Sequence, residues 1–402
     1  MRRVGISAGL AALALFGLVL GAHGAEPWTK TLPTEAPATG WDLLPADGGG
    51  WYVLGNSYTS YEPVMQSDIA LFRIDRDGSV LWQRTHDVSF QDEAWSMVEA
   101  GGEAILIAGS TTLGDAGLEI LLLTVDSDGE LLGMRTLGSA VDDIAIDLVA
   151  MDDGGFLVVG DLVDPDDFVA YSDDPGYGGF EGRSQPFALR LDAQGEVAWH
   201  RVYDIGGNVL VNSVACTPGG GAVFLATEMF YPTRDDNDIW LVRIDAEGEI
   251  VWQLAVTEGR ATGYDLIERA DGTYVAAGSM ARIGTSGQVV DGIFLQIDLD
   301  GTILWENTHG DPAAIDFGAE IVECADGRLL AIGGAAEVPV LELTSAGGCE
   351  GIHTVHVGCH TLFGELLLHP EGGFIGVGGL LCWPESKILV VRFDEDGRAP
   401  SL

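Results

Sequence analysis

Short apolar runs that end in a small residue recur seven times along the chain, at 51–55, 104–109, 156–160, 222–226, 274–278, 329–333 and 374–378. A tight turn rich in Gly with Asp or Pro precedes each run, as in Asp47-Gly48-Gly49, Asp153-Gly154-Gly155, Asp271-Gly272 and Asp326-Gly327. An apolar run entered through such a turn predicts the second strand of a hairpin. The first strand repeats as well, a polar residue leading two mostly apolar ones: Asp42-Leu43-Leu44, Ser96-Met97-Val98, Asp147-Leu148-Val149, Ser213-Val214-Ala215, Asp265-Leu266-Ile267, Glu320-Ile321-Val322 and Glu365-Leu366-Leu367. We call these strands a and b.

After a variable connection comes a third strand, c, closed by Asp-x-x-Gly. It covers 69–75 with Gly78, 120–126 with Gly129, 187–192 with Gly195, 239–245 with Gly248, 293–298 with Gly301 and 388–394 with Gly397, with a degraded copy at 340–348. A fourth strand, d, carries Trp82, Trp199, Trp252 and Trp305 four residues after the glycine. Four antiparallel strands in a unit of about fifty residues is the pattern of a propeller blade, whose two faces both pack on neighbours. That explains strands such as Ile239-Trp240-Leu241-Val242, apolar on both sides. The fold predicted is all-β, a single seven-bladed β-propeller of four-stranded antiparallel blades over residues 25–402.

The two ends agree with seven units. Only Arg398 to Leu402 follow the last Asp-x-x-Gly, so that hairpin lacks a fourth strand, while Pro27-Trp28-Thr29-Lys30-Thr31 matches Leu81-Trp82-Gln83-Arg84-Thr85. The N-terminal strand is therefore predicted to pair with the C-terminal hairpin and close the ring, leaving no open sheet edge there.

Before it, Met1-Arg2-Arg3, an apolar run at 6–20 and Ala22-His23-Gly24 have the order of a signal peptide, residues 1–24. A secreted or periplasmic location is expected. No second apolar run of about 18 residues follows, so membrane insertion is not expected. With 62 acidic residues against 19 basic and a net charge of −43, the chain offers no basic patch to displace counterions from phosphate, which excludes nucleic acid as a partner.

The run D-I-x-L-x-R-I-D-x-x-G-x-[IV]-x-W followed by D-G-G-[FY]-x-V-x-G resembles the repeats of secreted bacterial β-propeller proteins, a group similar to kelch and pyrroloquinoline-quinone-like propellers. The resemblance covers essentially the whole chain after the leader. It implies the fold and leaves activity open, because this architecture hosts enzymes, lectins and scaffolds alike.

Arg73, Arg190, Arg243 and Arg392 all stand at one repeat position of strand c, two residues before its aspartate. They are expected to pair with strand-a acids such as Asp42, Asp147, Asp265 and Glu320. The Asp-x-x-Gly aspartates lack the longer alternation of carboxylates that a calcium loop uses, so they read as turn residues. The long third b-to-c connection carries Asp164, Asp166, Asp167, Asp173 and Asp174, and the next blade's carries Asp235, Asp236 and Asp238. By strand parity both emerge at one end of neighbouring blades, where they form a candidate calcium site; no other cofactor is predicted. Tyr58, Tyr61, Tyr171, Tyr177, Tyr231 and Trp383 share that end and are the candidate ligand-facing aromatics.

Five cysteines in an exported chain suggest disulfides with one left over. Cys359 and Cys382 fall in loops at one end of one unit and are the expected pair, with Cys324 and Cys349 second and Cys216 free. Cys349 and Cys359 bracket a strand, which holds them about 30 Å apart, too far to bond. His353 and His356 alternate across that strand, which argues against a shared zinc ion. No Ser, His and Asp set emerges from spacing.

The leading functional expectation is a non-enzymatic binding or protein-interaction module, monomeric, with an unidentified protein or glycan partner. The alternatives are a quinoprotein-like oxidoreductase and a carbohydrate-binding lectin. Against the first, D-x-x-G-x-x-x-W is one residue shorter than the quinone-enzyme motif, and seven units are found where those enzymes commonly have eight.

Overall fold

The computed structural model describes residues 26–60, 66–113, 117–139, 141–164, 183–229, 237–256, 260–284, 287–309, 320–334, 337–382 and 385–402. The predicted signal peptide lies outside them. β1 (Trp28–Thr31) comes first. Blade 1 is β2 (Ala38–Pro45), β3 (Trp51–Ser60), β4 (Gln66–Ile74) and β5 (Val80–His86). Blade 2 is β6 (Asp92–Glu99), β7 (Ile105–Thr112), β8 (Leu118–Val125) and β9 (Leu131–Leu137). Blade 3 is β10 (Asp142–Ala150), β11 (Phe156–Asp164), β12 (Arg183–Leu191) and β13 (Val197–Val202). Blade 4 is β14 (Asn208–Thr217), β15 (Gly221–Met229), β16 (Asp238–Ile244) and β17 (Ile250–Val256). Blade 5 is β18 (Arg260–Glu268), β19 (Tyr274–Gly284), β20 (Gly287–Ile297) and β21 (Ile303–His309). Blade 6 is β22 (Glu320–Glu323), β23 (Leu329–Ile332), β24 (Glu337–Leu343) and β25 (Cys349–His356). Blade 7 takes β26 (His360–Leu368), β27 (Phe374–Cys382) and β28 (Glu385–Phe393) from the C-terminus and β1 from the N-terminus, in the order β1-β28-β27-β26. Trp28 stands opposite Arg392 and Thr31 opposite Leu389, so the ring closes as the sequence predicts.

Because both faces of a blade are covered, the core lies in seven seams. Along β3, Val53 packs into the seam with blade 7 and Leu54 into the seam with blade 2. Along β4, Ala70 and Phe72 serve the first seam and Ile69 and Leu71 the second. A period of two with both phases apolar is what a sheet buried on both faces requires.

The repeat tryptophans bind one blade to the next. A Cβ placed on Gly129 would stand 2.6 Å from the Trp82 ring, one on Gly248 2.8 Å from Trp199, and one on Gly301 2.9 Å from Trp252. Each ring covers the left-handed glycine of the following blade's c–d turn, at φ 75°, 80° and 81°, where a side chain would be both strained and obstructed. Trp28 does the same to Gly78 and so extends this stapling across the closure. The Trp199 and Trp252 indole N–H groups donate to Ala246 and Leu299 carbonyls at 2.9 Å.

The strand-c arginines differ from expectation. Arg73 donates to the carbonyls of Trp51, Ile74, Asp47 and Gly49, and Arg190 to those of Phe156 and Leu191 and to the Asp153 carboxylate. Arg392 reaches the Gly372 carbonyl and His369 Nδ1, and Arg243 the Leu299 carbonyl of the next blade. These side chains sit at the strand end, beside the turns, and donate chiefly to carbonyls of the turns and strand ends.

The strand-a acids have another task. Asp42 Oδ1 accepts from the Leu43 N–H and Oδ2 from the Met97 N–H of the next blade, both at 2.6 Å. Asp147 bridges Leu148 and Val214 at 2.8 Å, and Asp265 bridges Leu266 at 2.7 Å and Ile321 at 3.0 Å. A bulge immediately before each acid, between Gly40 and Asp42, Ala145 and Asp147, and Gly263 and Asp265, frees the backbone for this bridge.

Candidate functional site

The two ends of the ring are chemically unlike. At one end lie the a–b and c–d turns. Asp75, Asp126, Asp192, Asp245, Asp298 and Asp394 each accept, through Oδ1, the N–H groups two and four residues on. In the degraded sixth copy Thr344 Oγ1 takes the same two positions, Ala346 and Gly348. These side chains close their own turns.

At the other end emerge the b–c and d–a connections. Asp164 ends β11 opposite Arg183, and Asp238 begins β16 opposite Glu228. Asp166, Asp167, Asp173, Asp174, Asp235 and Asp236 lie outside the described residues, as do Tyr61, Tyr171, Tyr177, Tyr231 and Trp383. Tyr58 is half-buried in β3, and its N–H donates to the Pro37 carbonyl at 2.7 Å. Cys359 and Cys382 form the expected disulfide at this end, with their Cα atoms 5.4 Å apart. The second expected pair does not form: Cys324 and Cys349 are free thiols, as is Cys216. Cys324 begins the blade 6 a–b turn and Cys349 begins the outer strand β25, so that the width of the sheet separates them. His353 is engaged by Glu342 at 2.6 Å.

Strands β2, β6, β10 and β26, of blades 1, 2, 3 and 7, line a cavity whose walls include Asp42, Ser96, Glu99 and Glu365 among apolar neighbours such as Leu44, Val98 and Leu367. Trp41 and Trp95, the bulged residues of β2 and β6, meet edge to face with ring centroids 4.8 Å apart. Two residues before Trp95, Glu93 is half-buried, and burial pushes its carboxyl up to about 7.

Sequence reasoning missed one cluster. Asp68 near the start of β4, Asp87 just after β5 and Asp92 at the start of β6 place carboxylate oxygens within 4.8 Å of one another where blades 1 and 2 meet. Burial raises the Asp68 carboxyl above its ordinary value, and the charges of Asp87 and Asp92 raise it further. Oxygen donors of this kind suit a hard divalent cation. The three residues come from two strands of two blades and the connection between them, so no local motif announces them.

No family model matches the chain, and no curated protein matches it. Among solved structures it is similar to a protein of unknown function from Bacteroides caccae, at 13% identity and a TM-score of 0.43, covering 79% of this chain and 94% of that one. It is also similar to a puromycin hydrolase, at 14% identity and 0.47, covering 86% and 50%, and to the acylaminoacyl peptidase of Pyrococcus horikoshii, at 13% and 0.42, covering 85% and 49%. The chain spans about half the length of those two enzymes.

Proposed function

We propose that the protein is an exported, non-catalytic binding module that meets its partner, a protein or a glycan, with the end of the ring carrying the b–c and d–a connections. The observation that carries this reading is the contrast between the ends. At the turn end the repeated aspartates are consumed in closing their own turns. Variable length and aromatic content are concentrated at the other end, with Tyr58 and Tyr171 among the candidates, and calcium on the Asp164–Asp238 connections belongs to the same reading. The signal-like N-terminus and the Cys359–Cys382 bond support export. The repeat tryptophans are accounted for by packing on turn glycines, so they lend no support to a quinone site.

The test is a screen of the immobilised chain against a glycan array and the exported proteins of its source. Any ligand found is then measured with Tyr58→Ala plus Tyr171→Ala and, separately, with Asp77→Lys plus Asp300→Lys at the turn end. The reading expects affinity to fall at least tenfold in the first variant and to hold in the second. Loss confined to the turn-end variant, or quinone-dependent dye reduction by the wild type, would overturn it.

A further inference from the structure

Five seams of the ring are closed at their outer rim by one device, and a sixth keeps the glycine and the cation of that device but not the ring. Trp28, Trp82, Trp199, Trp252 and Trp305 each lie on the left-handed glycine of the following blade's c–d turn, Gly78, Gly129, Gly248, Gly301 and Gly347, where an added Cβ would stand 2.5–2.9 Å from the indole. Two residues further along the outer strand a cation lies against three of these rings: Lys30 over Trp28 at 5.3 Å, Arg84 over Trp82 at 5.4 Å and Arg201 over Trp199 at 5.9 Å from the ring centroid. The negative face of an aromatic ring attracts such a cation.

Between blades 2 and 3 the glycine is present, Gly195 at φ 77°, and so is the cation, Arg135, but Gly133 stands where the indole would. Nothing lies within 4 Å of a Cβ placed on Gly195 or on Gly133, so no other side chain has moved in. Arg84 and Arg201 lay their stems on the glycine they face, with Cγ 2.9 and 3.0 Å from its added Cβ, whereas Arg135 reaches the Gly195 carbonyl at 2.8 Å and leaves that side of the glycine bare. Leu131, on the face of β9 that Gly133 shares, is 50% exposed. The other seam without an indole, between blades 6 and 7, makes the contrast. There Gly351 takes the tryptophan position, but Val340 and Leu330 come within 2.7 and 3.9 Å of a Cβ on Gly397, and the place of the cation goes to His353, which is engaged by Glu342. That seam has filled its socket from within; the seam between blades 2 and 3 has left it open.

The rim of the opening is acidic. Asp126, Asp128 and Glu130 belong to the turn that leads into β9, and Asp192 and Glu196 to the turn that holds Gly195. Arg84 pairs with Glu130 at 2.9 Å and Arg135 with Glu196 at 3.1 Å, and among the described residues no ion pair engages Asp126, Asp128 or Asp192. In a chain of net charge −43, such a rim draws cationic groups toward it.

We propose that the bare socket formed by Leu131, Gly133, Arg135 and Gly195 is a docking site for a tryptophan side chain of a partner protein, presented beside lysine or arginine, with the ring lying on Gly195 and against Arg135 as the chain's own indoles lie in the other seams. The five filled sockets define the shape of the occupant, and the acidic rim defines the charge of its flanks. The site is on the outer rim beside the c–d turns, apart from the loop-end connections. It is therefore a second surface, whose failure would leave the loop-end reading standing.

The probe is the peptide amide acetyl-Lys-Trp-Lys with a fluorinated indole, titrated with the chain from Ala25 onward and followed by fluorine NMR. Wild type is expected to bind one equivalent in the millimolar range, the affinity a single anchoring side chain supplies. Acetyl-Glu-Trp-Glu should bind at least fivefold more weakly, and acetyl-Lys-Ala-Lys should not displace the probe. Gly133→Trp puts a ring into the socket from the chain itself and should weaken binding at least tenfold. Gly133→Leu, a smaller plug that suits an outer strand, should weaken it at least threefold and keeps the test decisive if the larger residue disturbs folding. No saturable binding by wild type would overturn the proposal. So would equal affinity in wild type and the folded Gly133 variants, or a glutamate probe that binds as tightly as the lysine one.

Discussion

The seam between blades 1 and 2 and the seam between blades 2 and 3 are built on the same repeat, yet they are held differently. In the first, Asp42 bridges to the Met97 N–H, Asn56 Oδ1 accepts the Ala94 N–H at 2.9 Å, Trp82 covers Gly129, and Arg84 lies over Trp82 and pairs with Glu130 at 2.9 Å. In the second, Ser96 replaces the carboxylate and makes one bond of 3.4 Å to the Leu148 carbonyl. Gly133 stands where the tryptophan would be, and Gly195 has no ring above it. Of these four devices only the cation survives: Arg135 reaches the Gly195 carbonyl at 2.8 Å and Glu196 at 3.1 Å, and one further bond, from the Leu118 N–H to Asp142 Oδ1 at 2.8 Å, crosses the seam. The lesson is that this ring has strong and weak joints. The seam between blades 3 and 4 has Asp147 and Asp161, and the seam between blades 4 and 5 has the hydroxyls of Ser213 and Thr227.

The largest expected effect comes from the carboxylate bridge. Asp42→Ala leaves the buried N–H groups of Leu43 and Met97 without their acceptor and should cost about 3–4 kcal/mol, since each buried donor left unpaired costs about 1–3 kcal/mol. Ser96→Ala at the weak seam should cost less than about 1 kcal/mol. Urea unfolding of both variants checks the difference, and equal costs would remove the distinction between the seams.

The ring contact comes next. Trp82→Ala should destabilise by about 2–3 kcal/mol, below the cost of a fully buried tryptophan because the ring is half-exposed. Gly133→Trp copies the stronger seam into the weaker one. A Cβ on Gly133 meets nothing within 4 Å, and neither does one on Gly195. Its unfolding midpoint should rise by the equivalent of about 1 kcal/mol; a fall would show that the socket is not open.

The smallest effect is in pH dependence. Asp161 takes, between blades 3 and 4, the place that Asn56 takes between blades 1 and 2, and its complete burial raises its carboxyl well above the ordinary value. The native state then holds the proton more tightly than the unfolded chain does. Its contribution is full below about pH 3.8 and is lost as pH rises through the raised native value. Asp161→Asn keeps an acceptor for the Val211 N–H and cannot ionise. It should match wild type near pH 4 and be more stable at pH 8, and urea midpoints across that range would show parallel curves if the account is wrong.

Much of this was legible in the sequence. Strand period, Gly-containing turns and the unmatched ends specify seven blades and the pairing of the N-terminal strand with the C-terminal hairpin, because each is a local or counting property. Strand parity placed Cys359 and Cys382 together. The partner of Arg73 was misjudged because a repeat position gives phase along a strand but not height relative to the turns. The role of Asp42 depends on a bulge that adds one residue without a composition signal. The meeting of Asp68, Asp87 and Asp92 depends on how two blades are set side by side, which no single strand encodes.

Native-state hydrogen exchange at the two seams tests the central claim most directly. The Ala94 amide is accepted by Asn56 of blade 1, and the same rank of blade 3, Ala145, faces the seam where Ser96 stands, whereas the Leu148 amide is held by Asp147 of its own blade. The account predicts that the Ala94 amide exchanges at least tenfold more slowly than that of Ala145, and that Gly133→Trp narrows the gap. Equal protection of the two amides, or faster exchange at Ala94, would contradict it.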